Sequence, residues 1–142
     1  MARVSLLSVI PSIMPTRTPI LTDKAPVPRT VYSQAIVANG FVFCSGQIGK
    51  NPATGQMVSG TVKDRTRQTI ENLGRVLEAA GSSLNDVVEV DVFLTARDDF
   101  AAMNEVYLEY FGELKPARTC VIIKELPSPT DIETKCTGLI TK

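Results

Sequence analysis

Between two stretches of helical periodicity lies a run, Val87 to Leu94, in which Val88, Val90, Val92 and Leu94 alternate with Glu89, Asp91 and Phe93. A strand patterned with period two needs one covered face and one open face. That requirement excludes a purely helical bundle and calls for a sheet with helices laid against one side.

The flanking segments supply those helices. Thr61 is placed to cap the first, with Asp64 three residues on as its capping-box partner. Ile70, Leu73, Val76, Leu77 and Ala80 then share one face, and Gly81 sits where a C′ glycine ends a helix. The second helix begins near Asp98, with Phe100, Met103, Val106, Tyr107, Tyr110 and Phe111 along its apolar side. That aromatic stripe reads as core packing.

More strands lie outside the helices. Val31 to Val37 is β-prone, Asn39-Gly40 is a two-residue hairpin signal, and Phe41 to Cys44 is the return strand, ending at Ser45-Gly46-Gln47. Asn51 to Gly55 is turn chemistry. After Lys115-Pro116, Ala117 to Ile123 reads as a strand, Leu126 to Thr130 as a loop, and Asp131 to Thr141 as a last strand. The order predicts an α+β fold of two layers, with helices on one face of a mixed sheet. The other face, rich in β-branched residues, calls for a partner, so a homo-oligomer is expected.

The chain has 142 residues, 44% of them apolar, which suits one domain with a real core. Lys+Arg and Asp+Glu are equal at 15 each, which argues against a nucleic-acid partner. No apolar run approaches the ~18 residues of a membrane span. Cys44, Cys120 and Cys136 are too few and too widely spaced for a disulfide framework or zinc site and read as reduced thiols of an intracellular protein. Met1 to about Thr22 carries Arg3, Arg17 and hydroxyl residues with no acid before Asp23, a weak likeness to a mitochondrial targeting segment. Pro11, Pro15 and Pro19 break any helix there, and Met14 is a candidate internal start. We divide the chain into an N-terminal arm, 1–24, and a domain, 25–142, with a cytoplasmic location expected and a mitochondrial one as the alternative.

There is no histidine. Chemistry must therefore run on an arginine, carboxylates, hydroxyls, thiols, backbone groups and water. Arg118, just before Thr119-Cys120-Val121-Ile122-Ile123, is expected at the mouth of a strand entering the core. A cation there needs an anionic partner, and the guanidinium fork fits a carboxylate. A pocket for a small carboxylate ligand follows. Tyr32, Ser45 with Gly46, and Glu133 are the other polar positions that packing does not require. Glu133 is expected beside the Arg118 strand, because the two flank one short connection. A plain cross-strand ion pair is the alternative reading.

Tyr32-Ser33-Gln34-Ala35, Ser45-Gly46-Gln47-Ile48, Asn104, Pro116-Ala117-Arg118-Thr119-Cys120, Leu126-Pro127 and Ile132-Glu133 occur in the order and spacing of the RidA (YjgF-type) family, and the chain resembles its fungal members most. The resemblance covers about Ala25 to the C-terminus. It implies a chorismate-mutase-like homotrimer with a central β-barrel and ligand clefts between subunits. It implies hydrolysis of reactive 2-enamine and 2-imine intermediates, 2-iminobutanoate and 2-iminopropanoate, to 2-oxo acids and ammonia. It further implies that Arg118 clamps the carboxylate, Glu133 handles water or proton, and the Cys120 carbonyl holds nitrogen or water. Ser45 and Gly46 would contact the ligand, Tyr32 would wall the pocket, and Asn104 would brace the arginine. No cofactor and no metal is called for, since an imine is already electrophilic.

Two positions depart from the pattern. Thr30-Val31 stands where Gly-Pro is common, and Lys135 where a second acid is common. Lys135 shares a strand face with Glu133 and is expected to lower its pKa. Alternatives are an endoribonuclease or translation inhibitor, a non-catalytic carboxylate-binding trimer, and a nucleophilic Cys120 thiol activated by Arg118.

Overall fold

A computed structural model describes residues 16–142. The targeting-like segment therefore lies outside the described residues as far as residue 15. The elements are β1 (Thr18–Ile20), β2 (Ala35–Ala38), β3 (Phe41–Gln47), α1 (Val62–Ala79), β4 (Val87–Leu94), α2 (Phe100–Tyr110), β5 (Ala117–Ile122) and β6 (Ile132–Leu139). One sheet has the order β1-β2-β3-β6-β4-β5. Only β4 and β5 are parallel, joined by the crossover through α2.

Local signals set the element ends. The Thr61 hydroxyl accepts from the Lys63 N–H (3.2 Å), and the Thr61 N–H donates to Asp64 Oδ2 (2.8 Å), closing the capping box. Gly81, at φ +84°, donates to the Glu78 carbonyl while Ser82 donates to Leu77, the paired bonds of a Schellman ending. Asn39 and Gly40 both take positive φ, as a type I′ hairpin needs. Ile70, Leu73, Val76 and Leu77 of α1 and Met103 and Tyr107 of α2 pack in one core with Val42, Val90, Val92, Leu94, Ile132 and Cys136. The other sheet face stays open, with Phe43 49% and Leu139 41% exposed.

The structure departs from the sequence reading in several places. Thr18–Ile20, assigned to the arm, pairs with β2 as a strand. Residues 31–34 are turn, not strand; the fully buried Gln34 amide accepts from the Thr22 N–H (2.7 Å) and donates to the Thr22 and Pro26 carbonyls, tying the segment before β2 down. Val87 is buried and Val88 exposed, because a bulge between Val87 and Glu89 shifts the alternation by one. Phe100 is 42% exposed and outside the core. β5 does not enter the core: it is an edge strand, and Arg118 on it is exposed.

β5 also does not neighbour β6, since β4 lies between them. The 123–131 connection crosses the end of β4 and is stapled there at both ends. The Ile123 N–H donates to the Leu94 carbonyl (2.8 Å) and the Thr95 N–H to the Asp131 carbonyl (3.1 Å). The Asp131 carboxylate accepts a bidentate pair from Arg65 of α1, both bonds 2.6 Å, which fixes where β6 begins.

Candidate functional site

Glu133 lies opposite Phe93 of β4, on the sheet face away from the helices. Beside it β3 is irregular. Its pairing with β6 steps from Cys44–Cys136 to Gln47–Thr134, so β3 carries one extra residue at Ser45-Gly46. The bulge brings the backbone of Gly46 against the Glu133 carboxylate. A Cβ at position 46 would fall on Oε1 and lie 2.9 Å from Cδ. Glycine is required here by close approach rather than by backbone dihedral.

The Ser45 N–H donates to the Gln34 carbonyl (2.9 Å), and its hydroxyl donates to the Ser33 carbonyl (2.6 Å). These bonds hold the turn that presents Tyr32. Tyr32, Ser45, Gly46 and Glu133 together line a cleft of about 370 Å³, with Pro127 on the far wall. That volume falls within the ~300–1,000 Å³ usual for small-molecule sites. Burial alone pushes the Glu133 carboxyl above its ordinary value. The expected depression by Lys135 is absent, because that ammonium turns to Asp91 (3.7 Å), its cross-strand neighbour. Glu133 is therefore a half-buried carboxyl without a counterion among the described residues, a condition that raises its basicity.

Arg118 belongs to a second cluster. Its Nη1 donates to Asn104 Oδ1 (2.7 Å). Its guanidinium carbon sits 4.6 Å from the Tyr107 ring centroid and 5.9 Å from that of Phe100. Residues 100, 104 and 107 share the side of α2 that faces β5, so one helix supplies a floor and a brace. Asn104 takes one N–H of the fork and leaves others free for a ligand.

Cys120 is two residues along the same strand face. Burial raises its thiol pKa by more than the nearby Arg118 cation lowers it. This speaks against the thiolate-nucleophile reading. Its carbonyl is better placed. The N–H of Ile123 turns inward to Leu94, so by alternation the N–H and C=O groups of Arg118, Cys120 and Ile122 point to the unpaired edge.

The two clusters do not meet within one chain. Arg118 is in register with Val90, on the helix side, whereas Glu133 is in register with Phe93, on the opposite side. Two strand spacings and three residues separate them, roughly 14 Å between Cα atoms. The expected adjacency of Arg118 and Glu133 is thus overturned, as is the simple ion pair between them. Tyr32, Ser45, Gly46 and Glu133 gather in one place; Asn104, Arg118 and Cys120 gather in another. The ring floor of Phe100 and Tyr107 was missed, although its helical spacing was visible as the stripe read as core. No group of His, Cys, Asp and Glu that could hold a metal ion occurs among the described residues. No helix among them is long and apolar enough to cross a membrane.

Residues 22–140 match the family model described as "Endoribonuclease L-PSP". A RutC family protein of Pyrococcus horikoshii is 55% identical over 114 residues, 80% of this chain and 90% of that protein. "Protein mmf1, mitochondrial" of Schizosaccharomyces pombe is 49% identical, covering 89% and 78%. "Reactive Intermediate Deaminase A, chloroplastic" of Arabidopsis thaliana is 41% identical, covering 82% and 63%. Among solved structures, yeast Mmf1 superposes with a TM-score of 0.86 at 38% identity, covering 89% of this chain and all of that one. E. coli TdcF with bound serine superposes at 0.83 and 34% identity, covering 87% and 99%.

Proposed function

The chain belongs to the endoribonuclease L-PSP family, which includes the RutC and RidA (YjgF-type) proteins, and on that premise we propose that it hydrolyses reactive 2-imino acids and their enamine tautomers, 2-iminobutanoate and 2-iminopropanoate among them. The observation that carries this reading is Glu133: a desolvated carboxyl with no counterion, held against a glycine in a ligand-sized cleft. Burial raises the basicity of such a group, which suits it to take a proton from water.

The working site is shared between subunits of a homotrimer whose sheets form a central barrel. One protomer contributes the Glu133 cleft and its neighbour the Arg118 edge. The open sheet face and the separation of the two clusters both support this. Arg118 then grips the substrate carboxylate, with Asn104 and the two rings fixing its direction. The edge carbonyl of Cys120 holds the iminium N–H. Glu133 takes a proton as water oxygen bonds to C2, giving a carbinolamine. It returns that proton to nitrogen as the carbon–nitrogen bond breaks. The hydroxyl becomes the carbonyl, and its proton leaves with the nitrogen as ammonium. One imino acid and one water thus give one 2-oxo acid and one ammonium ion. The serine in E. coli TdcF supports a ligand of amino-acid size and charge. The name of the fission-yeast relative supports a mitochondrial location, which import of the full chain against a 16–142 truncation that keeps β1 would test.

The test is coupled imine hydrolysis. A threonine dehydratase or amino-acid oxidase generates the imine in the presence of a semicarbazide trap. Wild-type protein should suppress trapping, and Arg118→Ala and Glu133→Gln should each lose about 10²- to 10⁴-fold in kcat/KM. Suppression by none of the proteins sinks the reading. RNA cleavage that survives Arg118→Ala would favour the endoribonuclease alternative instead.

A further inference from the structure

The chain carries equal numbers of acidic and basic residues, yet the Glu133 cleft does not. Its only charged lining residues are Arg29, Lys50 and Glu133, two cations against one carboxylate. Among the described residues neither cation is in an ion pair. Nor do they serve as counterions of Glu133, whose carboxyl responds to burial and to no neighbouring charge. Two cations thus line a half-enclosed space, and among the described residues neither has an acidic partner there.

Their backbones are fixed by separate sets of contacts. Arg29 lies in the segment that Gln34 ties down through Thr22 and Pro26, and its carbonyl accepts from the Tyr32 N–H (3.4 Å). Lys50 follows the β3 bulge. Asn72 of α1 donates to both the Ile48 and Lys50 carbonyls (3.1 and 2.9 Å), and Gly49 approaches the Arg65 backbone so closely that an added Cβ would lie 2.8 Å from its Cα. Both cations therefore come from held segments, and the flexible parts are only their side chains. A cleft with an excess of one sign of charge concentrates ligands of the other sign.

We propose that Arg29 and Lys50 form a second anion clamp, and that the cleft selects 2-imino acids bearing a carboxylate at the far end of the side chain. This rests on the imine-hydrolase reading and sharpens it. In that reading Arg118 of a neighbouring subunit holds the first carboxylate and Glu133 faces the reacting carbon. The distal carboxylate then lies towards Arg29 and Lys50, past the apolar wall of Val27 and Val31. The class of reaction that supplies such a substrate is the two-electron oxidation of an acidic amino acid by a flavin or nicotinamide enzyme, or loss of water from one that carries a β-hydroxyl.

The experiment compares kcat/KM for imines generated from aspartate or glutamate with those generated from alanine or leucine, in the same trap assay. The protein is used as wild type and as Arg29→Gln/Lys50→Gln. The acidic-to-neutral ratio should fall roughly three- to tenfold in the double variant, the range expected of two partly exposed charge contacts. Added salt should erode the ratio in wild type in the same direction, a readout that needs no variant to fold. A ratio unchanged by the substitutions and by salt overturns the clamp while leaving imine hydrolysis standing. Failure to hydrolyse any imine overturns both.

Discussion

Glu133 and Arg118 are held by different means. Around Glu133 the backbone makes the site: a bulge, a glycine and the bonds of Ser45 to residues 33 and 34 shape a cleft in which the carboxyl is left without a partner. Around Arg118 side chains do it: an amide and two rings on one helix aim a guanidinium from an otherwise exposed strand. The first arrangement raises the energy of a charge so that it reacts. The second satisfies a charge partly, so that it points. The two lie on opposite faces of one sheet and do not meet within one chain, which is why the proposed site needs a second subunit.

The sharpest way to break this comparison is to mix two inactive proteins. Arg118→Ala and Glu133→Gln, unfolded and refolded together, should recover about a quarter of wild-type activity, the share of sites that random assembly completes from two different chains. No recovery would mean that both groups act within one chain. Gly46→Ala comes next. Its methyl must displace the Glu133 carboxyl or shift the bulge, so kcat/KM should fall about 100-fold, with a loss of stability of about 1–3 kcal/mol in urea unfolding. Full activity there would show that the close approach is incidental.

Asn104→Ala tests the pointing half. KM should rise about tenfold with kcat little changed, because an aimed but unbraced arginine still binds. A fall in kcat alone would move Asn104 into the chemistry. The smallest effect concerns stability. Glu133 has a folded pKa raised above its ordinary value of 4.5, so its ionised form is disfavoured on folding. That cost is fully present above the folded pKa and disappears as pH falls below the unfolded one. Glu133→Gln should therefore melt about 1–3 °C higher than wild type at pH 8, and the gap should close near pH 4. A gap that persists in acid would assign the effect to packing.

Much of this could be read from residues close in sequence. The Thr61–Asp64 capping box, the Gly81 ending, the Asn39-Gly40 turn and the burial of Val90, Val92 and Leu94 are local consequences of short patterns, and all are present. Tyr32, Ser45, Gly46, Arg118 and Glu133 could be picked out as groups that packing does not require, and the structure gathers four of them around one cleft. Their arrangement was not legible. Adjacent strands β5 and β6 suggest a hairpin, but the loop between them crosses the end of β4, and no period or turn signal between Lys124 and Thr130 records that. The same insertion exposes Arg118 and sends Glu133 to the other face. The Val88 error has a similar root, since one bulged residue inverts an alternation that is otherwise correct.

The strand that carries Arg118 has a further consequence for a newly made chain. Its outward N–H and C=O groups form an open template, flanked by the exposed side chains of Val121 and Ile122, to which any extended segment could add. Charged residues on and beside an edge strand disfavour such addition, and Lys115, Arg118 and Lys124 supply them here. Arg118→Ala should therefore lower the yield of soluble protein, which the soluble fractions of the variant and wild type would show.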